Sequence, residues 1–309
     1  MTPSGITFYY PWEVQLMEWF QMHLSKSWVS FLSFFTLFGE AALMIMIVGF
    51  AYWNWDKKMG RAIGLNTIAG LAWNTMTKNI VLRRRPYFDH KRIKILRPVS
   101  PDADIYDIAA QGFSFPSGHS TTVMGVFGSL ALYLKKRWVT VAAVLIVLLT
   151  GISRSVVGAH YPTDVLTGWL FGLIGIFIVQ ALDKKLSNNL ILYGILLITI
   201  IPGFFYCKTT DYFDTAGLLI GFMAGMLMDE YYVHFENTRK PISMILRMVG
   251  GIAIFVVLNT LLKMPFSQEF LDSRTTAAMM MRCVRYGIIS FVEYGIYPML
   301  FKLEKRPGK

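Results

Sequence analysis

Apolar residues run along this chain in blocks long enough to cross a bilayer. A spanning helix needs roughly 20 mostly apolar residues. Nine stretches meet that length: 28–53, 61–82, 116–134, 138–157, 162–182, 188–206, 215–232, 243–262 and 283–301. Backbone groups in lipid must be satisfied within their own segment, so each stretch is predicted to be helical. Two carry polar residues that stand out: Asn66, Asn74 and Lys78 in the second, and Arg282, Arg285 and Glu293 in or beside the ninth. Ahead of the first block, Trp12, Leu16, Trp19 and Phe20 share one helical face, with Glu13 and Gln21 off it. That pattern fits a helix lying in the membrane interface, and equally one packed over the mouth of a bundle. The expected fold is all-α, a polytopic transmembrane bundle of nine spans with an N-terminal interfacial helix.

Composition agrees with a membrane class. Hydrophobic residues make up 54% of the chain and charged ones 16%, with mean hydropathy +0.47, where soluble domains average about 25% charged. The net charge of +11 does not by its sign point to nucleic acid, and no nucleic-acid partner is expected. Cys207 and Cys283 are too few and too far apart for a disulfide framework or a cysteine metal site. The opening MTPSGITFYY lacks a basic region followed by a short apolar run, so no cleaved signal peptide is expected.

Charge placement sets an orientation. With the N-terminus outside, the inner connections hold Lys57, Lys58 and Arg61; Lys135, Lys136 and Arg137; Lys184 and Lys185; Arg239 and Lys240; and Lys302, Lys305, Arg306 and Lys309. That agrees with the positive-inside tendency. One outer loop breaks it: residues 83–97 carry Arg83, Arg84, Arg85, Lys91, Arg92, Lys94 and Arg97. Such a loop favours a strongly anionic headgroup, with a diphosphate among the candidates.

Three stretches at the outer ends of spans two to five carry the chemistry. In Lys78-Asn-Ile-Val-Leu-Arg-Arg-Arg85-Pro86 the two outer cations are seven apart. About two helical turns separate them, which predicts a shared face, and Pro86 is expected to end the helix. Snorkelling at a membrane end accounts for Arg83 and Arg84. It accounts poorly for Lys78, two turns deeper, where charge is functional by default. Next, Phe115-Pro116-Ser117-Gly118-His119 opens the third span. Its helix start offers N–H groups and a dipole to an anion, Ser117 adds a hydroxyl, and His119 a titratable proton. Alone, this stretch fits a satisfied interfacial histidine as well. Last, Ser153-Arg154-Ser-Val-Val-Gly158-Ala-His160-Tyr-Pro-Thr-Asp164 bridges spans four and five. Arg154 brings a planar fork suited to phosphate oxygens. Asp164 is placed to orient the His160 ring and leave its other nitrogen free to attack.

Together these stretches resemble the type-2 phosphatidic acid phosphatase (PAP2) superfamily. Its signature is lysine, six residues, Arg-Pro; then Pro-Ser-Gly-His; then Ser-Arg, three residues, Gly, one residue, His, three residues, Asp. Every position is met in order, and the likeness covers residues 60–182. It implies a PAP2-type catalytic core within residues 1–187, with additional helices in 188–309 packed on it. It implies that His160 is the nucleophile carrying a phosphohistidine, Asp164 its orienting partner, and His119 the acid–base. Lys78, Arg85, Ser117, Gly118 and Arg154 would hold the phosphate. No metal or other cofactor is implied, and the chain has only five histidines and no carboxylate cluster near these stretches. The implied activity is removal of a terminal phosphate or diphosphate from a lipid, in a membrane, with the site on the extracytoplasmic or lumenal face. A sugar-phosphate phosphatase, as in the similar glucose-6-phosphatase branch, is one alternative. A lipid-phosphate carrier is another, though a carrier needs the cations and not the His160–Asp164 pair.

Overall fold

The computed structural model describes residues 5–305, and its regular structure is helical. Among those residues the one pairing of extended backbone is an isolated parallel bridge between Ile6 and Arg83. Met1–Ser4 of the opening stretch, and Arg306 and Lys309 of the inner charge, lie outside the described residues.

Four helices are long and apolar enough to cross a membrane: Arg137–Val156, Pro162–Lys185, Asn189–Tyr206 and Pro241–Leu261. A broken pair, Lys26–Gly39 with Ala41–Trp55, makes a fifth candidate. The other four predicted stretches are helical too: Lys57–Val81, residues 118–134, Thr210–Met228 and Thr276–Phe291, with a π-turn inside or just beyond the last three. They are shorter or more polar, and their polar side chains turn inward: Asn66, Asn74 and Lys78 are buried, as are Arg285 and Glu293.

The chain divides into two compact units: Met1–Met44 with Gly70–Ile178, and Ile45–Ala69 with Val179–Lys309. In the first, small residues bring backbones together. A Cβ on Gly168 would lie 2.5 Å from the Ser117 carbonyl oxygen, and one on Gly172 would lie 2.6 Å from the Met124 side chain. The Gly168-x-x-x-Gly172 face thus seats the Pro162–Lys185 helix against residues 117–124, which carry the Ser117–His119 stretch. In the second unit, Gly217 and Gly221 meet the carbonyls of Cys283 and Gly287, where a Cβ would lie 2.2 and 2.1 Å away. Ion pairs of Asp214 with Arg282 and of Asp229 with Lys57, both at 2.6 Å, join the helices of that unit.

The Pro11–His23 helix turns Glu13 and Met17 inward while Trp12, Leu16 and Trp19 stay exposed. Its apolar face is therefore the outer one. Gln21 fastens the inner side, donating to the Lys94 and Val156 carbonyls at 2.8 and 3.2 Å and accepting from Lys94 N at 2.9 Å.

Two sequence expectations need correction. Lys78 and Arg85 do not share one helical face, because the helix stops at Val81 and Leu82 turns left-handed at φ 54°. Pro86 forces Arg85 into extended backbone (φ −72°, ψ 153°), and Ile6 brackets the stretch through Ile6 N to Leu82 O and Arg84 N to Ile6 O, both 2.9 Å. Arg83 does not snorkel either. Its side chain is fully buried.

Candidate active site

His160 sits in the short connection between two helices. Gly158, at φ 77°, makes the turn possible, and a Cβ there would lie 2.3 Å from the Lys94 carbonyl oxygen. The Arg154 carbonyl accepts from Ala159 N and His160 N at 3.0 and 3.2 Å, which closes the turn over the end of the Arg137–Val156 helix. Pro162 starts the next helix, and Asp164 in its first turn faces back toward His160. Asp164 Oδ2 lies 3.6 Å from His160 Nδ1. That is longer than a full hydrogen bond. The same oxygen accepts from Tyr161 N at 2.8 Å and from the Ser114 hydroxyl, while Oδ1 accepts from Arg83 at 2.6 Å. The carboxylate is thus pinned from three sides, with the imidazole beside it.

Cations surround the other side of the ring. Arg85 Nη1 lies 3.5 Å from His160 Nε2 and donates to Ala159 O at 2.9 Å; its Nε bonds the carbonyls of Gln111 and Gly112. Burial first, then Arg85, Arg154, Lys78 and His119 in turn, hold the His160 pKa well below that of an ordinary histidine. The ring is therefore neutral at neutral pH, with an unprotonated nitrogen able to attack. Lys78 and Arg154 lie near enough for their charge to act on the ring, so both cations of the first stretch bear on His160 although the helix between them is broken. Arg154 is 2% exposed. Its guanidinium makes one long bond, to Thr36 Oγ1 at 3.4 Å, and its Nε has no partner among the described residues.

Ser117 caps the helix that carries His119. Its oxygen accepts from Ser120 N at 3.4 Å and Ser120 Oγ at 3.0 Å, so its own proton stays available as a donor. A Cβ on Gly118 would touch only Leu71, at 3.7 Å, so packing does not demand glycine here and the backbone is left open to approach. His119 Nε2 lies 3.5 Å from Glu40 Oε1. All eight residues singled out from the sequence fall in the first unit. Among the described residues no group of three His, Cys, Asp or Glu side chains is disposed to hold a metal ion.

Arg83, Glu13, Ser114, Glu40 and Arg97 join the set, though the signature gives a role to none of them. Arg83 donates to Glu13 Oε2 at 2.9 Å, Asp164 Oδ1 at 2.6 Å, Thr163 Oγ1 and Phe8 O at 2.8 Å, and stacks over Tyr161. Glu13 in turn accepts from Thr163 N at 3.0 Å and Thr163 Oγ1 at 2.6 Å, which caps the helix of Asp164. Ser114 bonds Asp164, and Glu40 is held by Arg97 at 3.1 Å. The one signal for Glu13 was its place off the tryptophan face, and for Glu40 a lone carboxylate in an apolar run.

Two family models match the chain: the PAP2 superfamily over residues 59–187, and the PAP2 superfamily phosphatase, transmembrane extension, over residues 213–306. Phosphatidylglycerophosphatase B of Bacillus subtilis (strain 168) is 40% identical over 85 residues, which are 25% of this chain and 42% of that protein. Lipid A 4'-phosphatase of Bacteroides thetaiotaomicron is 26% identical over 190 residues, 58% of this chain and 80% of the relative. Undecaprenyl-diphosphatase BcrC of Bacillus subtilis (strain 168) is 30% identical over 149 residues, 47% of this chain and 69% of the relative. The match thus spans less than half the length of the first of these and most of the other two. No solved structure matches the chain. The first family model covers all three signature stretches, and with relatives of this identity and coverage the chain belongs to the PAP2 superfamily.

Proposed function

We propose that this protein is a multi-pass membrane phosphatase that hydrolyses the terminal phosphate of a lipid phosphate, through a phosphohistidine on His160 and without a metal ion. The observation that carries this reading is the buried gathering of cations at His160, with Arg154 short of acceptors. A buried guanidinium is costly unless its N–H groups are met, and phosphate oxygens meet them in the geometry of the fork. The names of the relatives, a phosphatidylglycerophosphatase, a lipid A phosphatase and an undecaprenyl-diphosphatase, support a lipid as the phosphate's bearer.

In this reading His160 Nε2 attacks phosphorus while Asp164 and Ser114 steady Nδ1. Lys78, Arg85, Arg154, the Ser117 hydroxyl and the backbone at Gly118 hold the equatorial oxygens as charge builds on them. His119 gives its proton to the leaving oxygen, then takes one from the water that releases phosphate. The basic loop now argues less for a diphosphate, because Arg83, Arg84 and Arg97 are each engaged by a carboxylate.

Expected is phosphate release from at least one of phosphatidate, phosphatidylglycerophosphate and a polyprenyl diphosphate, in detergent and undiminished by EDTA. Full loss on chelation, restored by magnesium, would overturn the metal-free step. Release from glucose 6-phosphate alone would overturn the lipid.

Nine spans remain the reading we favour. The five apolar candidates are joined by Lys57–Val81, residues 118–134, Thr210–Met228 and Thr276–Phe291, whose hydropathy is lowered by side chains that face protein rather than lipid. The inner-loop lysines and arginines put the site outside. A cysteine at exposed Asp102, on a background lacking Cys207 and Cys283, is expected to react with an impermeant thiol reagent in intact cells. Labelling only after lysis would reverse the orientation.

A further inference from the structure

His119 has a carboxylate neighbour that its sequence surroundings do not offer. The helix Lys26–Phe35 tightens into a turn at Thr36–Gly39, breaks at Glu40 (φ −73°, ψ 142°) and resumes at Ala41. Gly39 lies so close to His119 that a Cβ would stand 2.7 Å from the His119 Cβ and 3.0 Å from its Cα. Only glycine fits that approach, and it carries Glu40 to the ring. Glu40 Oε1 lies 3.5 Å from His119 Nε2 and 3.1 Å from Arg97 Nη2, while Arg97 Nη1 donates to Ser33 O at 3.3 Å. Arg154 is the other cation near Glu40. The build repeats that of the nucleophile: Arg83 holds Asp164 beside His160, and Arg97 holds Glu40 beside His119.

We propose that Glu40 is the positioning carboxylate of His119, and that it fits the site to phosphate monoesters of alcohols. The proposal rests on the phosphatase reading above. A carboxylate at Nε2 fixes the ring, and in this proposal Nδ1 delivers the proton. As the bond from His160 Nε2 to phosphorus forms, the bond from phosphorus to the leaving oxygen breaks, and the Nδ1 proton passes to that oxygen. An alkoxide is a strong base and leaves only with that proton. A lipid monophosphate leaving from a diphosphate, or a nitrophenolate, is a weak base and needs little help. A supported acid therefore matters most for a lipid monophosphate. At 3.5 Å the pair is longer than a full hydrogen bond, as catalytic pairs without substrate commonly are.

The test compares first-turnover release of the leaving group by the wild type and Glu40→Gln, which keeps the shape and an acceptor for Arg97. The substrates are phosphatidate, farnesyl diphosphate and p-nitrophenyl phosphate. General acid catalysis contributes about 10²–10⁴-fold, so a fall of about 100-fold is expected for phosphatidate, and far smaller falls for the other two, with KM for phosphatidate little changed. An equal fall on all three, or no fall on phosphatidate, overturns the role of Glu40. If the wild type releases phosphate from none of them, the phosphatase reading itself fails. Should Glu40→Gln not fold, Arg97→Gln frees the carboxylate from its anchor. It should show the same bias in weaker form, and loss without bias overturns the proposal.

Discussion

His160→Ala is expected to form no phosphoenzyme with any substrate, and His119→Ala to accumulate it when the substrate is an aryl phosphate. The two histidines sit in different surroundings. His160 is buried at the end of a tight turn, beside a carboxylate bonded by Arg83, Ser114 and Tyr161 N, with Arg85 at its other nitrogen. Nearby cations and burial keep it unprotonated, which suits attack. Its pKa is depressed, so protonation sets in only well below the usual histidine range, and the neutral form prevails at every higher pH. His119 stands at the start of the helix capped by Ser117, next to Glu40, where a proton can be given and taken. On the proposed mechanism no bond to phosphorus forms without His160. Without His119 a phenolate is expected still to leave, with water not activated and the covalent intermediate persisting. The measurement is acid-labile radiolabel on the protein after quenching. Label trapped on His160→Ala and absent from His119→Ala would exchange the two roles.

Arg83→Ala is expected to destabilise the protein by about 3–5 kcal/mol, the cost of leaving buried charge unpaired. Arg84→Ala, one residue on, should cost about 1 kcal/mol or less, as partly exposed pairs do. Arg83 is fully buried between Glu13 and Asp164, which are fully buried too, so its removal strands two carboxylates at once. Arg84 is about one-third exposed and pairs with Asp89 at 2.7 Å near the surface, with Thr7 as its other acceptor. Thermal unfolding in detergent, followed by tryptophan fluorescence, reads both. Similar shifts for the two arginines would mean that Arg83 does snorkel. Activity should fall with Arg83→Ala as well, because Asp164 loses the anchor that holds it beside His160.

Those two arginines also mark the boundary of what a sequence carries. Adjacent and alike in type, they read as two cations at a membrane end, and nothing local tells the buried one from the exposed one. What the sequence by itself determined is whatever rests on composition and short spacing. Apolar runs of bilayer length require helices, because lipid offers no partner for the backbone. Proline at 162 and aspartate at 164, four after His160, place a carboxylate beside the ring within one turn of chain. The three signature stretches named the eight side chains for the same reason, since each stretch is a local unit. Tertiary structure alone decided which distant residues complete them. Glu13, Glu40 and Arg97 come from three other segments, and Ser114, just ahead of the second stretch, bonds Asp164 of the third; a buried charge finds its partner by packing, not by distance along the chain. The reach of Lys78 and Arg85 to one ring was a tertiary decision as well. A left-handed Leu82 and the backbone of Ile6 redirect the chain where an unbroken helix was expected, and that turn is held by contacts the spacing of two cations does not contain.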